Sequence, residues 1–338
     1  MTSPLSPLEL ANPQVLGLPH TSWRPNQLAA FETALALHKA GGGFLFTEQP
    51  TGCHAKGQLL LLSDGHTIAV ENVKVGDQLM GMDGAPRTVL SLVHGFGKLH
   101  QVTPVKGSPF IVTGDHLLTL VRTNTNSHYR TSVKVRKDCL RGNILDVSVY
   151  DYYGWSKGYK HIHKLFRVGV PFTEKSLPLD PYFLGVILGD GSMRKGVRIT
   201  TPDPEIVQEI YEQAAYFKLK VRIDHQPDNK ASDYCLVRER TGGKENPITG
   251  LLRSLGLANK SSGEKFIPFD YKTASIDQLY QILAGLLDTD GYFSKSSCDY
   301  ISKSRTLSAD VVFIARSLGL AAYLTPCQKY DQNGRGGT

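Results

Sequence analysis

Two nine-residue segments, 100 residues apart, end in the same Asp-Gly pair and constrain the fold more than any other feature. They are Phe183-Leu184-Gly185-Val186-Ile187-Leu188-Gly189-Asp190-Gly191 and Leu283-Ala284-Gly285-Leu286-Leu287-Asp288-Thr289-Asp290-Gly291. Asp180 followed by Pro181 caps the first, with proline in the first turn. Ser275 with Gln278 forms a capping box for the second. Helices are thus predicted over 182–189 and 276–289, each stopping at Asp-Gly. Gly185 and Gly189 lie four apart on one, Gly285 and Thr289 on the other. Small residues at that spacing let two helix backbones pack closely, which would bring Asp190 and Asp290 together. The pattern that follows is also doubled. Strands are predicted at 197–201, 221–223 and 234–237 around a helix at 204–217. In the second copy, strands near Tyr292 and Tyr300 and at 321–324 surround a helix at 307–318. Two copies of one unit predict a pseudo-two-fold α+β domain.

Residues 53–120 read differently. Short strand candidates at 59–62, 67–70, 78–81, 88–93, 99–105 and 110–112 are punctuated by Ser63-Asp64-Gly65 and Asp83-Gly84. Such spacing predicts an all-β sandwich or twisted horseshoe. With 338 residues, of which 41% are apolar and 20% charged, the chain can bury a core in each region,.

Leu283–Gly291 matches L-A-G-L-I-D-A-D-G at seven of nine places, and Phe183–Gly191 matches it at four. The chain resembles a LAGLIDADG homing endonuclease of the type embedded in inteins, and the resemblance implies an α+β domain of pseudo-two-fold αββαββα-type repeats. The resemblance implies Mg²⁺-dependent double-strand cleavage of DNA, with Asp190 and Asp290 as catalytic carboxylates and metal ligands. Two adjacent carboxylates repel unless a cation neutralises them, and a divalent ion there can activate water and stabilise a leaving phosphate oxygen. Lys265-Phe266-Ile267-Pro268 resembles the family's K-x-I-P block, making Lys265 the candidate basic residue near the scissile phosphate.

Cys53-His54-Ala55-Lys56-Gly57, leading into Ser63-Asp64-Gly65, resembles the first block of an intein. Gly107–His116 resembles the T-x-x-H block. Taken alone, Cys53 reads equally as a small buried hydrophobe and His116 as a structural histidine. The resemblance implies that Cys53 attacks the Gly52 carbonyl, that His116 polarises the Gly52–Cys53 amide and that Thr113 positions it, with no cofactor.

Glu48-Gln49-Pro50-Thr51-Gly52 begins like a phosphate loop, but the Gly-Lys-Ser/Thr end never arrives. Residues 1–52 resemble the start of a superfamily 2 helicase. Gln27 resembles its adenine-reading glutamine, and Thr51 and Gly52 fall in the interrupted nucleotide loop. The organisation read from the sequence is a host segment (1–52), the N-terminal part of a Hint splicing domain (53–121), a basic recognition or linker region (122–177), the endonuclease (178–330) and a tail (331–338). An intein ends in His-Asn, and no such pair occurs in this sequence. Complete cis-splicing is therefore not expected of this chain.

The net charge of +7 is concentrated. Arg122 to Arg167 holds ten cations against three anions, interleaved with tyrosines and Trp155. This is the footprint of a nucleic-acid surface or of a solvated basic loop. Arg130, Arg136, Lys160 and Arg167 are the candidate phosphate contacts on double-stranded DNA, the implied target being an intein-less helicase allele. Five scattered cysteines with no C-x-x-C argue against a disulfide framework or zinc site,. No secretory signal or long apolar run appears, so the expectation is a cytoplasmic monomer without membrane contact.

Overall fold

The computed structural model describes residues 53–92, 94–123, 142–194, 196–225, 231–239, 245–295, 297–330 and 336–337. The calls on Gln27, Thr51, Gly52, Arg130 and Arg136 lie outside these residues.

The first region is built from short antiparallel pairs. Strand β1 (Leu59–Leu61) pairs with β2 (Thr67–Ala69), and β3 (Gln78–Met80) pairs with β4 (Pro86–Thr88). β5 (Leu99–Val102) pairs with β6 (Phe110–Thr113). The predicted strand at 88–93 is instead β4: the Asp83-Gly84 turn sets Met80 opposite Pro86 and Gln78 opposite Thr88. β7 (Leu117–Arg122) lies between β8 (Ile144–Ser148) and β9 (His163–Leu165). Between β8 and β9 run α1 (Val149–Gly154) and α2 (Lys157–His161), capped by Ser148 and Ser156. Val112, Leu118, Leu120, Val147 and Val149 form the core here.

The second region is mixed. Helix α3 (Pro181–Asp190) is capped by Asp180, whose carboxylate accepts from the Phe183 N–H at 2.9 Å. It leads into β10 (Gly191–Ser192) and β11 (Val197–Thr201), then α4 (Pro204–Tyr216), β12 (Lys220–His225) and β13 (Ser232–Val237), giving the sheet order β10-β11-β13-β12. Helices α5 (Pro247–Ser254), capped by Asn246, and α6 (Phe269–Lys272) precede α7 (Ile276–Asp290). Then come β14 (Gly291–Phe293), β15 (Cys298–Tyr300), α8 (Arg305–Ser317) and a short pair, β16 (Lys329–Tyr330) with β17 (Gly336–Gly337). The predicted strand at 321–324 does not form. In the first unit β12 is held along its length by β13, whereas no described strand is paired alongside 321–324. The second unit therefore carries a two-stranded sheet where the first carries four strands.

Helix α3 is buried nearly all round, from Phe183 through Leu188, as expected of a helix apolar on every face. It packs on α7 in the main core with Ile282, Leu283 and Leu286. Among the described residues no helix is long and apolar enough to cross a membrane.

Candidate active sites

Helices α3 and α7 touch backbone to backbone. A Cβ on Gly185 would lie 2.5 Å from the Ile282 carbonyl oxygen, and one on Gly285 would lie 2.2 Å from that of Tyr182. Only glycine fits at this crossing. One turn on, Gly189 faces the Thr289 side chain. The crossing delivers Asp190, half-buried, and Asp290, on the more open side, into electrostatic contact. Burial first, and then the Asp290 charge, push the Asp190 carboxyl up to about 6, while Lys265 pulls the other way. Partial desolvation also raises Asp290, again opposed by Lys265. Tyr182 donates its hydroxyl hydrogen to Asp288 at 3.0 Å, tying the two helices together below the site.

Lys265 is not a surface lysine. It is 6% exposed, and its Nζ donates to the carbonyls of Leu188 and Gly189 at 2.8 Å and of Gly191 at 2.9 Å. It thus neutralises the negative end of α3. Burial pulls its ammonium below the usual lysine range, while Asp290 and Asp190 pull it up. Its own segment is clamped: Ser304 Oγ donates to the Lys265 carbonyl at 2.6 Å, and the buried Asp310 accepts from the Ile267 N–H and from Lys272 Nζ. Sequence reading misses this clamp, because its partners lie 38 to 43 residues apart.

The second constellation sits at the start of the β region. The Cys53 N–H donates to Thr113 Oγ1 at 2.9 Å, and the Thr113 N–H donates to the Cys53 carbonyl at 2.9 Å. Cys53–Ala55 thus lies along β6, with His54 bridged to Val112. The turn after β6 brings His116 against His54, with ring centroids 4.5 Å apart. Sequence reading placed Cys53, Thr113 and His116 but not His54; its position beside Cys53 was the available signal.

The basic stretch does not lie wholly on the surface. Arg122 is 1% exposed, with its guanidinium carbon 5.9 Å from the Tyr159 ring centroid. Trp155, Tyr159 and His163 pack ring against ring at 4.4 to 5.0 Å. Lys160 sits over the Tyr152 and Tyr153 rings and donates to the Tyr153 carbonyl. Arg167 is exposed.

A β-rich region that includes Cys53 is thus joined to a mixed α/β region whose central helix pair ends in adjacent aspartates. Residues 53–150 match the model of the Hom_end-associated Hint family, and residues 265–336 match that of the homing endonuclease family. The chain thus carries one segment similar to an endonuclease-associated Hint domain and one similar to a homing endonuclease domain. It is 26% identical over 265 residues to the replicative DNA helicase DnaB of Mycobacterium intracellulare, across 73% of this chain and 39% of that protein. It is 28% identical over 191 residues to the homothallic switching endonuclease of Saccharomyces cerevisiae, across 46% of this chain and 32% of that one. The chain thus spans less than half the length of these relatives. A solved structure of mesophilic variants of the homing endonuclease I-DmoI overlaps 42% of this chain and 77% of that one, at 14% identity and a TM-score of 0.29.

Proposed function

We propose that this chain cleaves double-stranded DNA at a site made by Asp190 and Asp290, and that its Hint domain performs the first step of protein splicing at the Gly52–Cys53 bond. The observation that carries the nuclease reading is the glycine crossing, which sets two carboxylates against each other at adjoining helix ends. Such a pair is unfavourable without a cation, and Lys265 is already engaged with backbone carbonyls, so the donor set fits a divalent ion. Asp190 and Asp290 would hold Mg²⁺. When bound, the ion supplies charge stabilisation and an activated water for phosphodiester cleavage. Lys265 holds the end of α3, and so Asp190, in place. β10 and β14 lead away from the two aspartates, and their sheets form the floor on which a duplex would lie. We read the two α/β units as related by a pseudo-two-fold and the β region as an arm of a Hint horseshoe.

In the splicing step, Thr113 Oγ1 holds the hydrogen on the scissile amide nitrogen, and His116 in the same turn serves as the acid. Likeness to a replicative helicase supports a helicase host for residues 1–52, with the uninterrupted host gene as the DNA target. Exposed cations such as Arg167 would contact phosphates.

Cleavage of a plasmid carrying the uninterrupted helicase sequence, with and without Mg²⁺, tests the nuclease. Asp190→Asn and Asp290→Asn should each reduce it by far more than tenfold, and retained cleavage would sink the assignment. Thiol-induced release of residues 1–52, abolished by Cys53→Ala, tests the splicing step.

A further inference from the structure

The acyl-shift site holds a second histidine that the chemistry above does not use. His54 follows Cys53 directly, and its register opposite Val112 is fixed by the bridge to β6. His100 on β5 is also opposite Val112, so the two histidines flank a fully buried valine on one face of the sheet,. The His54 and His116 rings meet edge-on at 61°, with centroids 4.5 Å apart. Among the described residues, the Nδ1 of His54 is buried and has no hydrogen-bond partner, and the same holds for Nε2 of His100. An imidazolium needs acceptors for both N–H groups, and a buried Nδ1 without one keeps the ring neutral.

We propose that His54 is a positioning residue for the acyl shift: its neutral ring packs against His116, fixes that ring in the turn that holds the Cys53 amide, and leaves His116 as the one member of the pair that takes up a proton. The inference rests on the reading of Cys53 as nucleophile. In that step the Cys53 sulfur bonds to the Gly52 carbonyl carbon, the Gly52–Cys53 C–N bond breaks, and the amine takes a proton from His116. The thiol releases its proton to solvent and His116 regains one from solvent, so the step is redox-neutral and balanced.

The groups facing the pair agree with this assignment. His100 and Tyr150 pack ring to ring at 5.2 Å on the far side of β6. Asp115, beside His116, is exposed, and Asp151 of α1 is exposed and accepts from Ser148 Oγ. Cys53 lies on the strand of His54 itself, where successive side chains point to opposite faces. His54 is lowered by burial and then by the charge of His116. A second proton on the pair would place two cations in contact in a half-buried site.

The test uses the full chain, with thiol-induced release of residues 1–52 and ring-proton NMR of His116 as separate readouts. At pH 7, His54→Ala should slow release roughly tenfold by freeing the His116 ring. His54→Phe keeps the packing and should stay within about threefold of the parent. In the parent, His116 signals should show a second inflection in acid as His54 is forced to charge. In His54→Phe that inflection should vanish. A single, identical His116 titration in both proteins, or wild-type release from His54→Ala, would overturn the proposal. If instead the parent releases nothing, or Cys53→Ala releases normally, the acyl-shift reading fails, while the two-step His116 titration still decides whether the pair exists.

Discussion

At the scale of single residues, Asp190 carries the sharpest consequence. Its carboxyl is pushed up to about 6 by burial and by Asp290. A carboxyl whose folded pKa lies above its unfolded value binds its proton more tightly in the folded state. The stability this gives is fully present below about pH 4 and is lost as pH rises through about 6. The loss is about 1–3 kcal/mol once partial exposure is discounted. Thermal melts should therefore show Asp190→Asn as stable as the parent or more so at pH 7. Millimolar Mg²⁺ should raise the parent's Tm at pH 7 and change little at pH 4.5, where the proton occupies the cation's place. A Tm shift equal at both pH values would remove the metal from this pair. Lys265 behaves oppositely. Lys265→Met leaves the Leu188, Gly189 and Gly191 carbonyls without their shared donor and should cost about 2–4 kcal/mol in urea unfolding, even without DNA,.

At the scale of elements, the α3–α7 crossing depends on two glycines. A methyl group on Gly185 or Gly285 meets carbonyl oxygens at 2.5 or 2.2 Å, and helix backbones cannot yield locally. Gly185→Ala or Gly285→Ala should destabilise the chain by several kcal/mol. At Gly189 the obstacle is the Thr289 side chain, which can rotate, so Gly189→Ala should cost about half as much or less,. Denaturant midpoints for the three variants give the order. This crossing was legible in the sequence, because Gly185, Gly189, Gly285 and the two caps are local signals. The helices α5 and α6 were not: α6 spans four residues, too few for a periodic pattern,. The false strand at 321–324 has the opposite cause. Its apolar run satisfies a local strand pattern, but strands need partners, and none is paired alongside it among the described residues. Of the candidate sites, the side chains proposed to react carry local sequence signals. The supports of Lys265 do not, since Ser304 and Asp310 reach its loop across some forty residues.

At the scale of the whole molecule, the β region and the α/β region meet at the Ser63-Asp64-Gly65 turn. His66 stacks on Phe269 of α6 with ring centroids 3.9 Å apart. Gly65 holds a φ of +93° and is buried against Thr273 and Phe172. At the neighbouring turn, Gly84 meets Pro171. Lys175 then ties the connecting segment to Asp270 and Thr273. α6 immediately precedes α7, so the turn that docks the first region rests beside the helix that ends in Asp290. Gly65→Val strains the backbone at a positive φ and drives its side chain into the Thr273 methyl, which lies 2.2 Å from a Cβ built there,. The change is confined to the seam, so each region keeps its own core. Calorimetry of the parent should show the two regions melting together, and Gly65→Val should separate an early transition of the β region from a later one of the endonuclease core. His66→Ala removes the stacked ring without backbone strain and should give a smaller split in the same direction. Two separate transitions already in the parent would mean that the regions melt independently, and an unchanged single transition in Gly65→Val would place the coupling elsewhere than this seam.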